Sequence, residues 1–154
     1  MKISTKGIYA LEIITDLAMH TGDGVLESIG SIARRRGLSV KYSERLIKEL
    51  KDQGLVVSIR GAQSIKGPSG GYLLAKPAKD ITVKEILEVL EGPFSIVGED
   101  LDRSSLDAMQ LAIKSLVWDE IDARINEFME KRTLEHLVNE YRSYQDSQDM
   151  MYYI

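Results

Sequence analysis

The chain has no cysteine. That removes a disulfide framework, a thiolate metal site and direct thiol redox sensing. No window approaches the roughly 20 consecutive apolar residues that a membrane span needs. The first residues, MKISTKGIYALEII, carry no small-residue cleavage site and space their apolar positions helically. A signal peptide is therefore not expected, and the cytoplasm is the expected compartment. The only histidines, His20 and His136, stand far apart and outside any ligand-spaced cluster, so neither a metal nor a cofactor is expected. No nucleophile–base pattern occurs and the carboxylate pairs fall on helix faces, so enzymatic activity has no support. Net positive charge is also lacking: 20 Lys and Arg against 24 Asp and Glu give −4.

That total hides an asymmetry. Residues 1–76 hold 12 Lys and Arg against 7 Asp and Glu, and residues 77–154 hold 8 against 17. Affinity for nucleic acid depends on positive potential close to the phosphates, so the local balance of +5 in the first half outweighs the acidic whole. The apolar fraction of 44% suffices for the core of a soluble domain.

The spacing of Tyr9, Ala10, Ile13, Ile14, Leu17 and Ala18 predicts a helix over 4–20, ended by HTGDG. Ser28 can cap a second helix with Ile29, Ile32 and Ala33 inward; Gly37 supplies a sharp turn; Ser39 can cap a third helix over 40–52 that buries Val40, Leu46, Ile47 and Leu50. LVVSIRG and GYLLA then read as two strands joined by the turn-rich AQSIKGPSG. Two short helices about a tight turn, followed by a glycine-rich hairpin, predict a winged helix-turn-helix. In DITVKEILEVLEGP, Thr82 and Glu85 form a capping-box pattern ahead of Val83, Ile86, Leu87 and Leu90, and Gly92-Pro93 stop the helix. Residues 94–104 read as a loop. From 105 to 131 the pattern is helical again, which predicts a helix about 40 Å long at about 1.5 Å per residue. A small winged domain cannot cover that length, so Leu106, Met109, Ile113, Leu116, Val117, Ile121, Ile125 and Phe128 are expected to pack on a second copy. Trp118 and the methionines read as core or dimer contacts. Thr133 starts a last short helix, LEHLVNEY, ahead of the polar run RSYQDSQD and the ending MMYYI.

The third helix presents Lys41, Tyr42, Ser43, Glu44 and Arg45 at its N-terminal end, the part that reaches base edges in helix-turn-helix proteins. Arg45 suits paired hydrogen bonds to guanine and Glu44 a cytosine amino group, while Lys41, Tyr42 and Ser43 suit phosphates or thymine methyls. Lys41 and Arg45 are like charges at i, i+4, a penalty that a phosphate lattice reverses. Arg60, at the start of the wing, suits a minor groove or a phosphate, with Lys66, Ser69 and Gly70 nearby. Ser28, Ser39 and Lys48 complete the candidate DNA-facing set around the turn. The run Gly67 to Gly71 lacks the Lys-Ser/Thr pair and following helix of a nucleotide-binding loop and reads as a wing tip.

KISTKGIYALEIITDLA, SIARRRGLSVKYSERLIKELKDQGLVVSIRG, GGYLLAKPAKDITVKEILEVLEGP and TLEHLV resemble the Rrf-two-type winged-helix regulators, nearly without a break to Pro93 and thinly beyond. The resemblance implies a homodimer with a long C-terminal helix crossing between subunits, bound to imperfect palindromes in double-stranded DNA. It implies base reading by Tyr42, Glu44 and Arg45, a wing contact from Arg60, and Lys2, Ser4 and Lys6 along the DNA backbone. Cluster-binding members carry three cysteines in the loop before the long helix; this chain has none there, so an iron–sulfur cluster ligated in that way is excluded. The wing is also longer than the family's usual one. The cysteine-free members concerned with cysteine metabolism look most similar. That likeness implies that Tyr153 and Ile154 dock into cysteine synthase, with the terminal carboxylate held by backbone donors.

The expectation is thus a mainly α fold with a small β wing: a winged helix-turn-helix domain over 1–93, a loop over 94–104, and a dimerisation helix with its tail over 105–154. The expected function is a sequence-specific DNA-binding transcriptional regulator, a homodimeric repressor without an iron–sulfur cluster. The alternative is a protein-interaction module that works through the long helix and tail without binding DNA.

Overall fold

The computed structural model describes residues 2–61, 70–98 and 102–153. Ser4 opens α1 (Thr5–His20) by accepting the Gly7 N–H at 3.3 Å. Along it Ala10, Ile13, Ile14 and Leu17 are fully buried, and Tyr9 and Ala18 are half-buried beside them. Ser28 caps α2 (Ile29–Arg36) through the Ser31 N–H, and Gly37 closes it at φ 67°, ψ 31°. In that left-handed conformation the Leu38 N–H reaches the Ala33 carbonyl at 2.9 Å, so glycine at 37 lets the chain reverse within one residue. Ser39 caps α3 (Val40–Asp52), accepting from the Tyr42 N–H at 3.1 Å. Its inner face is Ser43, Leu46, Ile47 and Leu50. Val40, expected in the core, is instead exposed: at the first helical position it lies beyond the turn that packs on α1 and α2.

The hairpin pairs β1 (Val56–Ile59) antiparallel to β2 (Gly71–Leu74), with Val56 opposite Leu74 and Ile59 opposite Gly71. Glu27 adds a one-residue bridge to the outer edge of β2: its N–H donates to the Tyr72 carbonyl at 3.2 Å and its carbonyl accepts from the Tyr72 N–H at 2.8 Å. A Cβ at Gly71 would lie 2.7 Å from the Glu27 carbonyl oxygen, and one at Gly70 2.9 Å from that of Ile59. The paired glycines are therefore required by close backbone approach.

Thr82 and Glu85 close a reciprocal capping box on α4 (Val83–Glu91), which buries Val83, Ile86 and Leu87 and leaves Leu90 half-buried. The long C-terminal helix is built from α5 (Ala108–Ile113), a π-helical turn (Lys114–Trp118) and α6 (Asp119–Lys131). It starts at Ala108 rather than Ser105, because Asp107 and Gln110 form a capping box that fixes its first turn. Residues 132–134 return to the domain: Val83 N–H donates to the Arg132 carbonyl and Leu134 N–H to that of Ile81, both at 2.8 Å. Leu134 is thereby sealed in the same core as Ile13, Leu46 and Ile86. The last helix, α7 (Leu134–Tyr152), is longer than the short segment expected, running through the polar residues to Tyr152. Val138 is its last buried residue. Beyond it Gln145 Nε2 donates to Tyr141 Oη at 2.8 Å, and the Ser147 hydroxyl to the Ser143 carbonyl at 3.0 Å.

Candidate nucleic-acid interface

The helical period of α3 sorts its residues into two faces. Ser43, Leu46, Ile47 and Leu50 seal the core, while Val40, Lys41, Glu44, Arg45 and Lys48 form a continuous exposed stripe. Ser43 is fully buried and its hydroxyl donates to the Ser39 carbonyl at 2.9 Å, so it holds the turn together instead of facing outward. Tyr42 is half-buried, its ring edge-on to that of Tyr9 with centroids 6.1 Å apart, which ties the recognition helix to α1. Among the described residues Lys41 and Arg45 enter no ion pair, leaving both free for phosphates or base edges. Lys48 pairs with Asp52 at 2.6 Å on an exposed face; such solvent-screened pairs contribute little to stability and exchange readily for a phosphate.

Around this stripe the expected residues divide. Lys2 is exposed and Lys6 half-buried, both at the start of α1. Ser4 is held from within: its N–H donates to Glu91 Oε1 at 2.9 Å and its hydroxyl to the same oxygen. Ser28 and Ser39 act as helix caps. Arg60 is exposed at the end of β1, next to Gly61 at φ 67°. Lys66 and Ser69 of the wing loop lie outside the described residues, as does Ile154.

Two features escaped the reading of the sequence. Val40 is an exposed apolar side chain beside Lys41 and Glu44, suited to a thymine methyl; its apolar character had pointed to the core. The run Arg34-Arg35-Arg36 is divided by function. Arg34 is exposed, while Arg35 and Arg36 converge on Asp16, a buried carboxylate of α1. Arg35 forks onto it through Nε and a terminal nitrogen, at 3.0 and 2.6 Å, and Arg36 Nε stands 3.0 Å from its other oxygen. Hydrogen bonds to the Asp16 carboxylate hold the pKa of the Arg35 guanidinium above its ordinary value. His20 Nδ1 lies 3.2 Å from the same carboxylate. This cluster fixes the first helix of the helix-turn-helix against α1.

Along the long helix Met109 and Leu116 are 74% and 79% exposed, and Ile113, Val117 and Phe128 are exposed with them. Leu106, Ile121 and Ile125 are half-buried, Ile125 against Val83, Leu87 and Met129. Arg132 lies over the Phe128 ring at 4.9 Å.

A capped recognition helix with one polar, cation-bearing face, set beside a two-stranded wing, defines a winged helix-turn-helix DNA-binding regulator. Residues 3–140 match the family model Rrf2, described as an iron-dependent transcriptional regulator. The chain belongs to the Rrf2 family. It is 40% identical over 152 residues to the HTH-type transcriptional regulator CymR of Bacillus subtilis, covering 99% of this chain and 97% of that one. To the regulator IscR of Pectobacterium atrosepticum it is 33% identical over 145 residues, 90% and 80% of the two chains. The solved structure of CymR, called there the global cysteine regulator of B. subtilis, superposes with a TM-score of 0.71 at 38% identity, covering 90% of this chain and 97% of that one. T. potens IscR gives 0.70 at 37%, covering 94% and 91%. The chain is a DNA-binding transcriptional regulator, and the reading of an interaction module without DNA binding is not favoured. Its relatives in the family are transcriptional regulators, and among the described residues no helix is long and apolar enough to cross a membrane.

The iron in the family's description finds no matching donor set here. The chain has no cysteine, and among the described residues no group of three His, Asp or Glu side chains is placed to hold a metal ion. A thiolate-held cluster has nothing to bind to in this chain.

Proposed function

We propose that this protein is a homodimeric repressor that reads an imperfect palindrome with the outward stripe of α3. The observation that carries the reading is the separation of α3 into a sealed inner face and an outer face holding Val40, Lys41, Glu44, Arg45 and Lys48. Arg45 and Glu44 read base edges; Lys41, Lys2, Lys6 and Arg60 bind phosphates and supply most of the salt-dependent affinity. Residues 1–93, closed by Leu134 and Val138 at the start of α7, act as the DNA-binding domain, and the long helix of α5 and α6 as the dimerisation helix. The exposed apolar residues of the long helix support the dimer, since water is a poor environment for Met109 and Leu116, seven residues apart on one helix face, and for Phe128 beyond them. Two recognition helices related by a two-fold axis then meet half-sites about one helical turn, or a multiple, apart.

The likeness to CymR, called the global cysteine regulator, supports regulation of cysteine metabolism; with it goes the proposal that cysteine synthase is a partner of Tyr153 and Ile154. Deleting Ile154 should abolish binding of purified cysteine synthase; unchanged affinity removes that partner.

Gel shifts on DNA upstream of the protein's own operon, at fixed salt, test the DNA reading. Arg45→Ala should lose about 1–3 kcal/mol of discrimination at one base position. Lys6→Ala should weaken specific and random DNA alike. Equal losses on both DNAs for both variants would refute the division between base reading and phosphate binding.

A further inference from the structure

We propose that Glu91, the last residue of α4, is a positioning residue for DNA binding: it holds the N-terminal end of α1 in the setting from which Lys2 and Lys6 meet the phosphate backbone. By its own helix Glu91 is misplaced. A carboxylate at the last position of α4 faces the negative end of that helix's dipole, where a cation is favoured. Its place is explained by α1 instead. Oε1 accepts the Ser4 N–H at 2.9 Å and the Ser4 hydroxyl as well. Ser4 is the cap of α1, and its oxygen in turn accepts the Gly7 N–H at 3.3 Å. The carboxylate thus lies at the positive end of α1 and completes its cap from 87 residues away in the chain. Among the described residues its hydrogen bonds are to Ser4 alone.

Gly7 is the second sign that this seat is built. It is buried in the first turn of α1, and a Cβ there would overlap Glu91 Oε1 and stand 2.9 Å from Ile3 Cγ2. Its backbone is ordinary helix, so the glycine answers to the space the carboxylate occupies and not to a turn.

The seat is anchored on its far side. α4 ends at Gly92, and the residues beyond are strapped to the long helix. The Ser95 hydroxyl and the Ile96 N–H donate to the two carboxylate oxygens of Asp122, each at 2.8 Å, and Asn126 Nδ2 donates to the Phe94 carbonyl at 3.3 Å. Ile3 packs into the same junction, against Val83, Leu87 and Met129. The start of α1 is therefore held twice, by Glu91 and by the core between α4 and the long helix. Lys2, exposed, and Lys6, half-buried, flank the held residue Ser4. Ordering this end before DNA arrives removes part of the entropic cost of binding, which is how a residue that touches no phosphate raises affinity. On charge alone the effect has the opposite sign: a carboxylate near phosphates repels them, so its removal would strengthen binding.

The inference rests on the reading of Lys2 and Lys6 as phosphate contacts, and the test separates the two. Affinity of the full chain for its operator and for a random duplex is measured by fluorescence anisotropy over a series of salt concentrations, with thermal unfolding of each variant recorded alongside. Glu91→Ala should weaken both DNAs about three- to tenfold at the lowest salt and make the salt slope shallower by about 1. Glu91→Gln, whose amide oxygen still accepts from Ser4, should bind at least as tightly as the unsubstituted chain. Gly7→Ala changes no charge but displaces the carboxylate, and should reproduce the loss seen with Glu91→Ala, slope included. In a chain already carrying Lys2→Ala and Lys6→Ala, Glu91→Ala should have no further effect on DNA, because the groups it positions are gone. Tighter binding by Glu91→Ala overturns the proposal, as does a loss with unchanged salt slope or full additivity with the lysine substitutions. Glu91→Gln as weak as Glu91→Ala, or unaltered binding by Gly7→Ala, overturns it too. If the lysine substitutions themselves leave binding intact, the phosphate reading falls and carries this inference with it; if they weaken binding and Glu91→Ala does not, this inference alone falls.

Discussion

Glu85 shows how one carboxylate can hold two parts of the domain. It accepts the Thr82 N–H at 2.8 Å, completing the capping box, and the Lys76 ammonium at 2.6 Å, joining α4 to the strand end. Burial pushes its carboxyl up, but the bonds from Lys76 and Thr82 outweigh burial and hold it below the usual carboxylate value. A carboxylate depressed in the folded state stabilises that state above its unfolded value and loses the contribution as pH falls through the folded one. Glu85→Gln keeps the cap geometry and removes the charge. It should lower stability at pH 7 by roughly 0.5 kcal/mol, given that the side chain is more than one-third exposed. Urea unfolding should show the difference shrinking below about pH 4, the unfolded carboxylate range; a difference constant with pH argues against the ion pair. Gly70 and Gly71 carry a different lesson at this scale. Both are needed because backbone from elsewhere comes within 3 Å of where a side chain would begin.

The elements owe their limits to local chemistry and their faces to packing. Ser4, Ser28, Ser39, Thr82, Asp107 and Thr133 each open a helix by accepting a backbone N–H, a contribution of about 1 kcal/mol apiece. The caps are visible as residue types at the right spacing, which is why the starts of α1 to α4 were legible. The length of α7 was not. Its distal half has no buried apolar stripe, so periodicity carried no signal, and the helix continues on backbone hydrogen bonds and pairs such as Tyr141–Gln145. Its proximal end is another matter. Leu134 is fully buried and its N–H is bonded to Ile81, so the segment after the long helix belongs to the winged core. Leu134→Ala should cost about 2–5 kcal/mol. It should also expose the junction near Arg132 to limited proteolysis before the rest of the chain. Early cleavage only elsewhere would show that α7 is not held there.

At the scale of the molecule, charge and apolar surface fall on different parts. The basic residues gather on the winged half, and the acidic balance lies on the half that carries the long helix. The long helix meets α4 through Ile125 and Met129 and leaves Met109, Ile113, Leu116 and Val117 outward. Leu116→Glu should leave the fold intact and shift sedimentation from dimer to monomer. It should also weaken palindromic DNA far more than a single half-site, because only the dimer binds two half-sites at once. A dimer unchanged in mass would remove this face as the interface.

What the sequence by itself determined follows from interactions between near neighbours. The 3.6-residue period, the capping residues and the left-handed glycine at 37 act within a few positions, so the helix-turn-helix, its wing and the order of elements could be read directly. The absent thiols likewise decided the cluster question, because chemistry that needs a cysteine cannot be supplied by folding. Only the tertiary structure decided which residues of α3 face outward, turning Ser43 in and Val40 out. It alone brought Arg35 and Arg36 onto Asp16, bridged Glu27 to Tyr72, and seated Glu91 against Ser4. These depend on distances across the fold that no local pattern encodes.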